Sequence, residues 1–148
     1  MAEEIERKFL VRGEFKHLAV KQMKIAQGYL SVDHARTIRL RICDSKAILS
    51  VKAPVINTGF SRHEWEFEIP LSEASEILKV CLPDIIYKTR YLVPFSNHTF
   101  EVDVFHAKNE GLIIAELELS DEDEVFEKPE WLGEEVTGKP EFYNSNLI

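Results

Sequence analysis

The chain has 148 residues, with 18 Lys+Arg against 26 Asp+Glu and a formal charge of −8. That length suits one domain with a buried core, and the acidity excludes a general nucleic-acid binder, which needs a basic face to displace counterions. A hydrophobic fraction of 45% excludes a wholly disordered chain, and no apolar run approaches the roughly 18 residues of a membrane helix.

The opening MAEEIERKFLV is acidic and turns charged at once, unlike a secretory signal. From Glu4 the dominant period is two: Glu4, Glu6 and Lys8 share one parity, while Ile5, Phe9 and Val11 share the other. Glu14 to Ala19 reads as a short helix, and Lys24 to Leu30 as a weaker strand presenting Gln27 and Tyr29 together. Thr37 to Ile42 alternates Arg39 and Arg41 with Ile38, Leu40 and Ile42. Leu49 to Lys52 and Arg62 to Ile69 follow as strands, the latter carrying Glu64, Glu66 and Glu68. Leu71 to Cys81 carries a helical stripe of Leu71, Ala74, Ile77 and Leu78, with Ser72 suited to an N-cap. Tyr87 to Tyr91, Phe100 to Val104 and Ala115 to Leu119 are further strands, and Pro129 to Val136 reads as another helical turn or two. Turn signals stand at Asp44-Ser45, Asn57-Thr58-Gly59, Ser96-Asn97 and Asn109-Glu110-Gly111. The composition is α+β, mostly β, with about eight strands and a few helices. Neither a repeat nor a linker divides the chain, so residues 1–148 read as a single domain.

Successive strand side chains face opposite ways, so each strand has an apolar and a charged face. Charge sign is sorted by strand: Arg39/Arg41, Lys52 and Lys88/Arg90 are basic, while Glu64/Glu66/Glu68, Glu101/Asp103 and Glu116/Glu118 are acidic. Two arrangements fit. One is an antiparallel sheet with a wet face. The other is an eight-stranded antiparallel β-barrel whose charged faces line a ligand-sized tunnel. A charged lumen needs hydration, pairing or a ligand to neutralise it. A polyanion with divalent cations satisfies both signs: Arg and Lys hold phosphate oxygens, and carboxylates hold Mg²⁺ or Mn²⁺.

Glu4-Ile5-Glu6-Arg7-Lys8 fits the ExExK signature of the CYTH superfamily, the triphosphate tunnel metalloenzymes. The family-like segments Gln27-Gly28-Tyr29-Leu30, Thr37-Ile38-Arg39-Leu40-Arg41, Leu49-Ser50-Val51-Lys52 and Arg62-His63-Glu64-Trp65-Glu66 follow in order. Lys88-Thr89-Arg90-Tyr91, Glu101-Val102-Asp103-Val104-Phe105, Ala115-Glu116-Leu117-Glu118-Leu119 and the tail segments Trp131-Leu132-Gly133-Glu134-Glu135-Val136-Thr137 and Tyr143-Asn144-Ser145 extend the resemblance over nearly the whole chain, and specifically to short bacterial members. The resemblance implies an eight-stranded tunnel binding a triphosphate and one or two Mg²⁺ or Mn²⁺ ions. By matching positions it implies Lys8, Arg39, Arg41, Lys52, Lys88 and Arg90 as phosphate ligands, with Arg62 a weaker candidate. Glu4, Glu6, Asp103, Glu116 and Glu118 are the implied metal side, with Glu4 and Glu6 catalytic in holding a metal or orienting water. Glu64, Glu66, Glu68 and Glu101 read first as residues that orient the basic side chains and second as metal ligands. The expected activity is hydrolysis of tripolyphosphate to pyrophosphate and phosphate. Alternatives are a class IV-like adenylyl cyclase, thiamine or nucleoside triphosphate hydrolysis, and a non-catalytic triphosphate binder.

The tail departs from the family pattern: Gly138-Lys139-Pro140-Glu141-Phe142 carries Glu141 where a basic residue is expected, so this segment reads as a plug for one tunnel mouth. His17, His34, His63, His98 and His106 lack zinc spacing, and Ser120 to Glu124 lacks the glycine of a calcium loop and reads as a solvated turn. Trp65 and Phe67 are expected under a helix, and Arg7 in a surface salt bridge. No phosphate-cradling GxxxxGK[ST] loop is present. Cys43 and Cys81 sit in separate apolar segments without metal spacing and read as reduced thiols, so the protein is expected in the cytoplasm. The partner that the resemblance implies is a small-molecule triphosphate; no nucleic acid or membrane is expected, and the apolar outer faces also allow a homodimer.

Overall fold

The computed structural model describes residues 2–56 and 60–148; the Asn57-Thr58-Gly59 turn signal lies outside them. Eight antiparallel strands alternate as the sequence predicts: β1 (Ala2–Val11), β2 (Lys21–Ser31), β3 (Thr37–Cys43), β4 (Lys46–Pro54), β5 (Ser61–Ile69), β6 (Ile86–Phe95), β7 (His98–Phe105) and β8 (Ile113–Glu118). They pair in the order β5-β4-β3-β2-β6-β7-β8-β1, and β1 returns to β5 to close a barrel. Asp44 and Ser96, at the expected turns, take positive φ of 53° and 55°.

The barrel is built inside out. Its apolar parity faces outward and is covered by the rest of the chain. Phe100, Val102, Ala115 and Leu117 from β7 and β8 pack with Ile5 and Phe9 of β1 against Phe15, Trp131 and Leu132. The α-helix α1 (Leu71–Val80) lays Ala74 on Leu40 and Ala47 of β3 and β4, with Ile77 and Leu78 beside them. Burying such side chains supplies roughly 1.5–3 kcal/mol each, so the folding free energy resides largely outside the lumen.

Several expectations are corrected. Only one α-helix is present among the described residues; it starts at Leu71 behind Pro70, so Ser72 does not cap it. Glu14 to Ala19 shrinks to a 3₁₀ turn at Lys16–Leu18, too short to sustain an α-helix away from a packing face. Pro129 to Val136 instead yields a strand, β9 (Leu132–Glu135), paired with the second half of β1. A Cβ on Gly133 would stand 2.8 Å from the Leu10 carbonyl oxygen, so glycine permits that approach. Arg7 makes a two-pronged pair with Glu135, at 2.7 and 2.6 Å, and stands 4.8 Å from the Phe126 ring centre, tying β9 to the barrel. α1 covers β3 and β4 rather than β5, so Phe67 is 56% exposed and Trp65 lies beside His63. The acidic run is partly anchored: Glu122 accepts from Ser61, and Glu124 pairs with His98 at 2.6 Å.

Gly28 on β2 is where the segment after α1 crosses the barrel. A Cβ there would meet Cys81 Sγ at 2.8 Å and Ile85 Cδ1 at 3.0 Å. Gly28→Ala is therefore expected to destabilise the chain by about 1–3 kcal/mol through overpacking. A melting temperature equal to the parent's would show that the crossing segment yields freely.

Candidate active site

The inward parity meets around a cavity of about 370 Å³. Each strand contributes alternate residues, so β1 delivers Glu4, Glu6 and Lys8, β3 Arg39 and Arg41, and β8 Glu116 and Glu118 to the lining of one cavity. Lys52, Arg62 and Arg90 complete the cationic set, with Glu64, Glu66 and Glu101 also on the wall. Lys88 and Asp103 do not reach it. Their side chains are wholly buried and joined at 2.7 Å, and Asp103 also takes two bonds from Arg90, at 2.8 and 2.9 Å.

Most cations are already paired. Lys52 Nζ lies 2.7 Å from Glu4 and 3.0 Å from Glu64, and Arg62 lies 3.0 Å from Glu4. Burial alone would raise the Glu4 carboxyl, but Lys52 and Arg62 outweigh it and hold it at about 2. Arg90 reaches Glu101 at 3.1 Å and Glu116 at 3.6 Å, while Lys8 stands 3.8 Å from Glu116. Arg39 and Arg41 differ: among the described residues neither has a carboxylate within ion-pair distance. Arg41 Nε donates to the neutral Gln27 Oε1 at 2.9 Å, Arg39 Nη2 reaches Ser50 Oγ at 3.4 Å, and the buried Arg39 Nε has no acceptor. Burial, with Arg39 and Arg90 nearby, lowers the Arg41 guanidinium to about 10, leaving it cationic at neutral pH. Two adjacent guanidiniums with unspent charge form a receptor for forked anions such as phosphate.

Opposite in sign, carboxylate oxygens of Glu6, Glu101 and Glu116 all lie within 4.8 Å of one another. Burial, the Glu116 charge and Glu4 raise the Glu6 carboxyl well above the usual carboxylate range. Burial opposes ionisation of Glu116 too, but Lys8, Arg90 and Lys88 outweigh it and hold that group well below. Within the cluster, burial and its acidic neighbours thus favour the neutral form of Glu6, while the surrounding cations favour the charged form of Glu116. Three hard oxygen donors of this kind fit Mg²⁺ or Mn²⁺. The sequence ranks metal binding second for Glu101, because on β7 it shares the parity of Asp103 and nothing local separates them; the structure brings it to Glu6 and Glu116. Glu4 and Asp103, expected on the metal side, pair here with Lys52 and Arg90, and Glu118 lines the cavity outside the cluster.

A divalent ion at this cluster therefore competes with a proton for Glu6. Because the folded Glu6 group titrates above its unfolded value, its contribution to metal-free stability is present at low pH and fades as pH rises through the folded value. The rise in melting temperature on adding Mg²⁺ should therefore grow as pH climbs out of the usual carboxylate range. A pH-independent rise would contradict this coupling.

The family model described as the CYTH domain matches residues 2–145. The chain belongs to the CYTH domain family. Among its CYTH relatives, an inorganic triphosphatase of Acetivibrio thermocellus is 47% identical over 149 residues, spanning 100% of this chain and 94% of its own. An inorganic triphosphatase of Nitrosomonas europaea is 32% identical over 148 residues, spanning 97% and 95%. A solved inorganic triphosphatase superimposes with a TM-score of 0.66 at 30% identity, covering 99% of this chain and 95% of that one. No helix among the described residues is long and apolar enough to cross a membrane.

Proposed function

We propose that this CYTH protein hydrolyses inorganic tripolyphosphate to pyrophosphate and phosphate with a divalent metal, in the cytoplasm where Cys43 and Cys81 stay reduced. The observation that carries the reading is the cavity's division into uncompensated guanidiniums, Arg39 and Arg41, and a three-carboxylate cluster of Glu6, Glu101 and Glu116. Arg39 and Arg41 bind phosphate oxygens in forked geometry, and Lys8, Lys52, Arg62 and Arg90 add positive charge around them. Glu4 positions Lys52 and Arg62 rather than touching the reacting atoms, and the Lys88–Asp103 pair supports Arg90 from behind. Mg²⁺ or Mn²⁺ on Glu6, Glu101 and Glu116 would supply Lewis-acid polarisation of phosphate oxygens and a more acidic bound water. Catalysis of phosphoryl transfer is largely positioning and charge stabilisation, for which this wall is organised before substrate arrives.

Phosphorus NMR of the purified chain with Mg²⁺ or Mn²⁺, offered tripolyphosphate and ATP in parallel, tests this reading. Tripolyphosphate should give pyrophosphate and phosphate, with ATP slower. Pyrophosphate from ATP with matching cyclic AMP would replace the reading with a cyclase. Binding of both without turnover would leave a triphosphate-binding module.

A further inference from the structure

The charged inward parity stops short of one end of the barrel. Along β6 it passes from Arg90 and Lys88 to Ile86, along β7 from Glu101 and Asp103 to Phe105, along β8 from Glu118 and Glu116 to Ile114, and along β2 from Gln27 to Tyr29. These four apolar or aromatic residues pack with Phe142, Leu147 and Ile148 of the carboxy-terminal tail. In front of this stopper, the tail places acceptors on the last cations. The Phe142 carbonyl accepts from Lys8 Nζ at 3.3 Å, and Asn144 Oδ1 accepts from Lys88 Nζ at 2.9 Å and from Gln27 Nε2 at 3.4 Å. The Tyr143 ring centre stands 5.9 Å from Lys8 Nζ. These oxygens occupy the cations and so weaken their pull on a phosphate, and the apolar residues behind offer an anion neither charge nor hydration.

We propose that Asn144, with the tail that carries it, is a chain-end stop that sets the register at which a linear phosphate chain seats in the cavity. The inference rests on the triphosphatase reading and adds to it the element that selects which phosphoanhydride bond is presented. Lys8 follows Glu6 by two residues on β1, about 6.6 Å of strand rise, so the stop lies within a short chain's reach of the carboxylate cluster. A chain able to advance one unit further would present its next bond.

Tetrapolyphosphate reads the register directly. Water added across its terminal bond gives tripolyphosphate and phosphate, and across its central bond two pyrophosphates. At initial rate, phosphorus NMR of the parent chain should show one of these product pairs in excess. Asn144→Ala, which leaves Phe142, Leu147 and Ile148 in place, should bring in the other pair and shift the ratio about tenfold, the worth of one hydrogen bond to a charged group. Asn144→Asp keeps an acceptor facing Lys88 and should keep the parent pattern. Asn144→Ser serves in place of Asn144→Ala should the latter fail to fold. A mixed pattern in the parent, or an unchanged pattern in the folded shortened variant, overturns the stop. If the parent cleaves neither chain, the triphosphatase reading falls and thermal stabilisation by tripolyphosphate against long-chain polyphosphate becomes the readout. The stop then stands if the shortened variant gains on the longer chain, and falls if it does not.

Discussion

Glu6→Gln is expected to lower metal-dependent phosphate release by at least about a hundredfold, the scale of the several kcal/mol that a Lewis-acid metal contributes. The same variant should melt within a few degrees of the parent when no metal is present. The reason is the raised Glu6 carboxyl: burial, Glu116 and Glu4 all favour its neutral form, and the glutamine amide reproduces the shape and hydrogen-bond donation of that neutral acid. What glutamine cannot do is lose the proton and become an anionic ligand. Activity and the Mg²⁺-induced rise in melting temperature should therefore disappear together while the fold persists. Full activity in Glu6→Gln would remove Glu6 from the metal set and leave Glu101 and Glu116 without the third donor.

Asp103→Ala is expected to be the costliest substitution for stability. It strips buried Arg90 of the carboxylate that takes two of its bonds, and leaves Lys88, whose ammonium is already lowered by burial to about 7, without the partner that favours its charge. Breaking a buried pair by removing one member costs about 3–5 kcal/mol, which for a chain of this size lowers the melting temperature by about 6–20 °C. Lys88→Met should cost less, because Asp103 retains both bonds from Arg90. The double variant Lys88→Met/Asp103→Leu should recover part of the Asp103→Ala loss, since a neutral pair leaves only Arg90 seeking a counter-charge, and Glu101 and Glu116 supply it. Equal melting temperatures for parent and Asp103→Ala would mean that water, rather than protein, solvates this cluster.

Alternation was the most legible property of the sequence. It places Glu4, Glu6 and Lys8 on the same face of β1 and assigns every strand of the barrel, because a period of two has one geometric solution once the apolar set needs cover. Barrel closure was less legible, since the pairing of β1 with β5 joins Ala2–Ile5 to Ser61–Glu64 across nearly half the chain. β9 escaped the sequence because Trp131-Leu132-Gly133 carries no alternating run; the close approach to Leu10 that needs Gly133 is visible only once β1 is in place. The site was legible as a set of residues and illegible as a wiring diagram. Whether a carboxylate meets a metal or a lysine depends on its cross-barrel neighbour, so Glu4 went to Lys52 and Asp103 to Lys88, while Glu101 joined Glu6 and Glu116.

The outward core and inward charge of this barrel have a consequence for how such a protein changes over time. Every strand carries two messages in alternate letters, one for folding and one for chemistry, and both depend on the same phase. Point substitutions can edit one message while leaving the other intact: Arg39 can be altered without disturbing Leu40. A single inserted or deleted residue within a strand exchanges the two, sending lysine and glutamate into the packed shell and leucine into the cavity. Lineages of this architecture are therefore free to drift in substrate by substitution and in surface by loop length. Their strands should hold phase as strictly as a reading frame.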